Sequence, residues 1–233
     1  ENYEYIPVTA NYILQLHKVL YGYSQRDIGG RFKNTQNYIA ETGDNGTQII
    51  RFMPLAPYET PMAVEAICES YNREADNGEV DPLILIPAFI LDFLCIHPFN
   101  DGNGRMSRLL TTLLLYRAGY AVGKYVSLES KIEKTKAGYY DALGKSDINW
   151  NSGENDITPF IKYLLKIVLA AYREFEEKVT IAEGKVSAAG MVRKAVYNKI
   201  GKFTKNDIME SVPSISKSSV ENALKVLLQE GVI

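Results

Sequence analysis

Cysteine is scarce in this chain: Cys68 and Cys95 are the only two in 233 residues, and neither has a C-x-x-C partner. That excludes a disulfide framework and a cysteine-rich metal site. Each cysteine sits inside an apolar helical pattern, so both read as buried, reduced thiols of a cytoplasmic protein. Long hydrophobic runs are also missing. The longest, residues 83–91, carries Pro87 and is followed by Asp92, far short of the roughly 20 apolar residues that cross a bilayer as a helix. An excess of one charge is absent as well. The net charge of −2 excludes whole-molecule attraction to nucleic acid or anionic lipid. There is no internal repeat, no low-complexity tract and no signal-like apolar segment. The first residue is Glu1, which suggests numbering that begins inside a longer protein.

What the chain does have is helix. Thr60-Pro61, Asp81-Pro82 and Thr158-Pro159 each set an N-cap residue before a proline suited to the first turn, and Ser130 with Glu133 forms a candidate capping box. Apolar residues then recur at three- and four-residue spacing, as in Leu109, Leu113 and Tyr116. The pattern predicts helices near 9–21, 60–76, 82–96, 105–118, 130–145 and 158–179. Residues 47–55, β-branched and apolar between Gly43-Asp44-Asn45-Gly46 and Pro57, predict a short hairpin. Beyond about residue 184 the pattern changes, and helices at 204–212 and 216–230 around Pro213 read as a helix-turn-helix. The fold class is mainly all-α, in two domains, 1–183 and 184–233.

The informative stretch is His97-Pro98-Phe99-Asn100-Asp101-Gly102-Asn103-Gly104-Arg105-Met106-Ser107-Arg108. An apolar helix runs into His97 and must stop, because Pro98 cannot continue it. Gly102 and Gly104 permit the close backbone approach of an anion-binding loop, and a new helix opening near Arg105 makes its N-terminus an anion site. Arg105 and Arg108 lie on one side of that first turn. Cations there oppose the helix dipole by about 0.3–1 kcal/mol each unless an anion is bound. Asp101 is a hard oxygen ligand of the kind Mg²⁺ uses beside substrate phosphates. His97 can take a proton near neutrality. Any one of these residues is ordinary; eight specified positions at roughly one in twenty each are not a chance match.

This segment resembles the Fic signature, H-x-F-x-[D/E]-G-N-G-R-x-x-R, at every specified position. Gly30-Arg31-Phe32-Lys33 and Gln36-Asn37 resemble the family's region before its flap, residues 47–57 the flap, and Tyr139-Tyr140 with Ala142-Leu143 the segment beside the adenine pocket. The resemblance covers roughly residues 1–180 and implies a helical bundle with a short β-hairpin flap. It also implies a nucleotidyltransferase that moves AMP from ATP to a Ser, Thr or Tyr hydroxyl of a target protein or of itself, with Mg²⁺. In that reading His97 is the base and Asp101 the metal ligand. Gly102, Asn103 and Gly104 cradle the phosphates, the Asn103 side chain assisting. Arg105 and Arg108 neutralise the β- and γ-phosphates, Phe99 packs inward, and Tyr139 and Tyr140 are candidate nucleotide contacts. Ile50, Arg51 and Phe52 are candidate flap contacts to target, made by strand addition. Asp147 stands where relatives often carry a neutral amide near adenine and is left unassigned.

Three further readings complete the pass. The P-loop-like run from Gly138 to Ser146 has five residues between glycines instead of four and sits in a helical pattern, so it is set aside. The family's inhibitory pattern, [S/T]-x-x-x-E-[G/N], finds no match; Ser70 with Glu74 comes closest but is followed by Ala75. Asn2-Tyr3 resembles the segment after an inhibitory helix, so such a helix is expected upstream of Glu1. Residues 185–233 carry a net +4 and resemble a winged helix that ends before its wing. Lys217, Ser218, Ser219 and Asn222 there are placed to meet DNA or a protein, a second copy of the chain included. The alternatives to AMP transfer are removal of AMP by the same motif and nucleotide-sensing regulation of transcription. A base at His97 speaks against pure sensing.

Overall fold

The computed structural model describes residues 3–22, 28–42, 47–182, 187–199 and 201–233. It divides into two compact units, one of Glu1–Gly123 with Leu128–Ile167, the other of Lys124–Ser127 with Val168–Ile233. The division falls inside the longest helix.

In the first unit α1 (Ala10–Tyr21) starts at Thr9, whose hydroxyl accepts the Tyr12 N–H at 3.3 Å, satisfying a donor the helix itself cannot. A hairpin follows, β1 (Ile39–Thr42) and β2 (Gln48–Phe52), antiparallel with Ala40 opposite Ile50 and Glu41 opposite Ile49. The glycine-bearing turn expected at residues 43–46 lies outside the described residues, as does Asn2. Next come α2 (Thr60–Asn77), α3 (Pro82–Ile96) and α4 (Asn103–Arg117). The Asp81 carboxylate caps α3 by accepting the Leu83 N–H at 2.8 Å, with Pro82 at a position where no N–H is needed. Thr60 is the first residue of α2 and not its cap; Glu59 precedes it and accepts the Ala56 N–H at 3.0 Å.

Helix α3 is apolar nearly all round because it is buried nearly all round, packed between α2 and α4. Phe93 and Leu91 on α3 and Leu114 on α4 are fully enclosed. Cys68 and Cys95 are free and buried. Burial and nearby carboxylates push the Cys68 thiol up to about 12 and the Cys95 thiol up as well, so both are inert thiols.

The helix expected over 130–145 is two, α5 (Leu128–Lys134) and α6 (Lys136–Ser146), because Thr135 breaks the run. Its hydroxyl bonds back to the Lys131 carbonyl at 2.9 Å and meets the Tyr163 hydroxyl at 2.8 Å. Ser130 lies within the first turn of α5, so the expected Ser130–Glu133 capping box does not form. The run Gly138 to Ser146 is helical, which disposes of the P-loop.

Helix α7 (Thr158–Ala182) is followed by α8 (Ala188–Tyr197), α9 (Lys205–Ser211) and α10 (Lys217–Gln229). The last three enclose Val192, Ile208, Val212, Val220 and Leu227. Thr204 and Asp207 form a reciprocal capping box on α9, and Ser216 caps α10. Helix α8 was not anticipated from the sequence. No strand accompanies these three helices among the described residues. No described helix is long and apolar enough to cross a membrane.

Core and cap contribute unequally to this scaffold. Phe93→Ala should lower unfolding stability by about 3–5 kcal/mol and Asp81→Ala by about 1 kcal/mol, both read from urea titrations. Equal losses would show that Phe93's surroundings collapse onto the cavity.

Candidate active site

The site begins where α3 ends. His97 is the helix C-cap, in the left-handed region at φ 52° and ψ 61°, its N–H on the Phe93 carbonyl at 3.0 Å. A non-glycine residue there costs about 1–3 kcal/mol and needs surroundings that enforce it. Pro98 denies the helical alternative. Asn37, from the segment before β1, donates its amide to the carbonyls of His97 at 3.2 Å and Phe99 at 3.1 Å. Asn103, at the head of α4, closes the loop from the other side. Its Oδ1 accepts the Phe99 N–H at 2.9 Å and its Nδ2 donates to the Phe99 carbonyl at 2.7 Å.

Beneath the loop lies His17 of α1, buried, its ring stacked on Phe99 with centroids 3.7 Å apart and planes 2° from parallel. The Gly30 N–H donates to His17 Nδ1 at 3.0 Å, so Nε2 carries the proton and donates it to the Asp101 carbonyl at 3.1 Å. The bond from Gly30 needs the neutral ring, since a protonated Nδ1 could not accept it. Burial, more than the neighbouring Arg105 charge, holds its pKa below the ordinary value.

The His97 ring is oriented by Nδ1–H donating to the Leu94 carbonyl at 3.2 Å. The lone pair is therefore on Nε2. Burial first, then the Lys33 charge, push its pKa down to about 4 against the pull of the Leu94 bond. His97 is a proton acceptor in its neutral form.

On the far side of the loop Gly102 takes φ +88°, and a Cβ there would meet the Tyr21 ring at 2.9 Å. Only glycine fits. The Met106 N–H makes the first bond of α4, to the Gly102 carbonyl at 2.9 Å, so the N–H groups of Asn103, Gly104 and Arg105 head the helix without acceptors within it. Arg105 lies over the Tyr21 ring at 4.8 Å, donates to the Tyr21 hydroxyl, and stands 3.6 Å from Asp101. Arg108 donates Nε to Glu129 of α5 at 3.0 Å. His97, Asp101, Gly102, Gly104, Arg105 and Arg108 thus lie on one loop and the first two turns of α4.

Other expectations are corrected. The Asn103 side chain is buried and engaged at both ends with Phe99; what it offers an anion is its backbone N–H. Tyr139 is a core residue, edge-on to Phe160 and Tyr163, and burial raises its phenol to about 12. Tyr140 is the exposed one of the pair. On the hairpin, Ile50 is exposed, but Phe52 is buried against Trp150 and Arg51 turns inward to Asp147 at 2.6 Å. The register shifts here, with Ile39 opposite Phe52 and Ala40 opposite Ile50, so Arg51 is the extra residue of a bulge, where the alternation of faces is broken. The exposed apolar side chains there are Ile49, Ile50 and Met53. A hollow of about 690 Å³ beside the hairpin is lined by Arg51, Phe52, Gly144, Asp147 and Trp150, among others. Sequence reasoning missed His17, Tyr21 and Glu129. All three act across long chain separations, and only a histidine on the apolar face of α1 gave a readable signal.

Residues 7–115 match the model of the Fic/DOC family. Among curated proteins the chain is similar to the protein adenylyltransferase fic-1 of Caenorhabditis elegans, 27% identical over 163 residues, 70% of this chain and 28% of that protein. It is similar also to the protein adenylyltransferase Fic of Drosophila grimshawi, 29% identical over 159 residues, 68% of this chain and 28% of that one. The chain thus spans less than a third of these relatives' length. Among solved structures, a Fic domain containing signaling protein from Bacteroides thetaiotaomicron superposes with TM-score 0.62 at 26% identity, covering 78% of this chain and 66% of that one. A Fic family protein from Desulfovibrio desulfuricans does so with TM-score 0.60 at 25% identity, covering 96% and 62%.

Both histidines titrate below their ordinary value of 6.5 in the fold, His97 near 4. As pH falls from 6.5 toward 4, the unfolded chain binds protons that the native chain refuses, so stability drops across that window and is regained above it. Urea unfolding should therefore give lower stability at pH 5 than at pH 7, and His17→Gln and His97→Gln should each shrink the difference. A difference unchanged in both variants would contradict the assignment.

Proposed function

Residues 7–115 are a Fic/DOC-family domain, and from that premise we propose that the protein is an adenylyltransferase, moving AMP from ATP to a hydroxyl of a target protein or of itself. The observation that carries the reading is the juxtaposition of a neutral, oriented imidazole at a left-handed helix end with a glycine-turned helix N-terminus bearing two arginines. Binding an anion explains the second half. It does not explain the first.

His97 Nε2 takes the proton of the acceptor hydroxyl as its oxygen bonds to the α-phosphorus. The bond from that phosphorus to the bridging oxygen breaks, and pyrophosphate leaves with the electron pair. The N–H groups at the head of α4 hold phosphate oxygens, and Arg105 and Arg108 offset the charge of the β- and γ-phosphates. A bound polyphosphate also raises the His97 pKa from its low resting value toward neutrality, strengthening the base when the nucleotide is in place. Asp101 fits a Mg²⁺ ion as a single hard carboxylate: its side chain is 44% exposed, and no cluster of three or more acidic, His or Cys ligands makes an all-protein cage among the described residues. Asp101 would hold Mg²⁺ there, and the ion would supply neutralisation of phosphate charge. Tyr140 is left to meet the nucleoside. The target pairs along the hairpin, where Ile49, Ile50 and Met53 are exposed and β2 has β1 as its one strand neighbour among the described residues.

Incubation with ATP and a cell lysate, read by mass spectrometry, should give peptides heavier by one AMP. Addition of UMP or phosphate, or no addition, sinks the proposal. His97→Ala should cut AMP transfer at least about 100-fold while leaving ATP affinity within about threefold. Arg108→Ala should weaken ATP binding about tenfold or more. Glu129→Gln should strengthen it by about twofold, because the acid competes for Arg108 from an exposed position.

A further inference from the structure

Lys33 is the one lysine among the described residues that is buried, 3% exposed, and its ammonium bonds neutral groups. Its ammonium donates to the Ile96 carbonyl at 2.9 Å and to Asn37 Oδ1 at 3.0 Å, and its backbone N–H donates to the Pro98 carbonyl at 2.8 Å. Asn37, oriented by that bond, donates to the carbonyls of His97 and Phe99. Every backbone carbonyl from residue 96 to residue 99 is thus held by Lys33 or by the side chain Lys33 holds. A buried ammonium is costly unless its position serves something. A packed methionine would fill the same space without that cost.

We propose that Lys33 is a positioning residue for the general base, its ammonium and Asn37 together enforcing the left-handed turn on which His97 stands. The inference rests on the transferase reading for its activity arm only. Lys33 touches no reacting atom. Its ammonium satisfies the Ile96 carbonyl that α3 leaves open at its C-terminus, where a cation is also favoured by the helix dipole, and it fixes the strained residue between two anchored neighbours. Its charge acts on the imidazole as well. Lys33 is the charged side chain that disfavours protonation of His97, and Glu59, before α2, is the one that steadies the charge of Lys33. Burial lowers the Lys33 pKa to about 8, so the charge is present at neutral pH and lost above it.

The chain has two histidines, which makes the test direct. In the full chain labelled at histidine, with signals assigned through His97→Ala, NMR titration of the native protein should show His97 protonating near pH 4 and a second, smaller inflection of the same ring signals near pH 8, as Lys33 loses its proton. Lys33→Met should raise the His97 midpoint by about half a unit or more and abolish the inflection near 8, whereas Lys33→Arg should leave the midpoint within about 0.2 units. Lys33→Gln, which keeps a donor and drops the charge, takes the place of the methionine variant should that one not fold. In turnover, the neutral variant should lose about tenfold or more in kcat with ATP KM within about threefold, and arginine should restore most of it. A native titration featureless near pH 8, or an unmoved His97 midpoint in a folded neutral variant, overturns the proposal. Absence of AMP transfer in the native protein would instead sink the transferase reading and leave the titration result standing.

Discussion

The two hydrogen bonds between the Asn103 amide and the backbone of Phe99 are the constraint on which the site depends. They close the chain between α3 and α4 into a short loop that has no room to relax. Because Asn103 is already in the first turn of α4, the same bonds lock the loop to the helix whose N-terminus must meet an anion. Phe99, enclosed completely, passes that rigidity to α1 by stacking on His17, and His17 returns it by holding the Asp101 carbonyl. His97, Asp101 and the head of α4 are therefore held in one connected network. That is what a reaction driven by positioning requires.

The cations of the site fall into two kinds. Arg105 and Arg108 have partners that an anion can replace: an aspartate 3.6 Å away, a tyrosine hydroxyl, and an exposed glutamate. Partly exposed pairs of this sort contribute about 0–1 kcal/mol, so a polyphosphate offering several charge-assisted bonds outcompetes them. Lys33 is the opposite case. Its partners are one carbonyl and one side-chain amide in the interior. On the proposed reading, the exchangeable charges are those that meet substrate, and the fixed charge sets geometry.

The hairpin carries a similar division along its length, exposed at the start of β2 and buried at its end. Phe52 and Arg51 bind the hairpin to Trp150 and Asp147, and Trp150 in turn donates to Asp92 of α3 at 2.7 Å. That chain of contacts ties the hairpin to the helix that ends in His97. The exposed residues, Ile49, Ile50 and Met53, are left to meet a partner. A hairpin with few strands and one buried side has little stability of its own, so these inward contacts decide where its open edge lies.

The sequence by itself determined most of the helices, though not α8 or the break at Thr135, together with the stop at Pro98, the glycine turn and the residue types of the site. Each of these is written locally, in caps, in periodicity and in a proline that cannot continue a helix. Twelve contiguous residues carry the candidate base, the candidate metal ligand and both arginines, since these lie on one loop and one helical turn. Tertiary structure decided what lay across long separations. Asn103 and Tyr139 are inward because their hydrogen bonds and ring contacts are complete there, not because their residue types forbid a ligand. Thr135 ends a helix through its own hydroxyl and that of Tyr163, and periodicity cannot register such a bond. His17 and Lys33, whose contacts lie 84 and 63 residues away, hold the site from behind. Their role exists only once the fold has removed them from water, because a buried polar group must find partners, and only packing decides which partners are there.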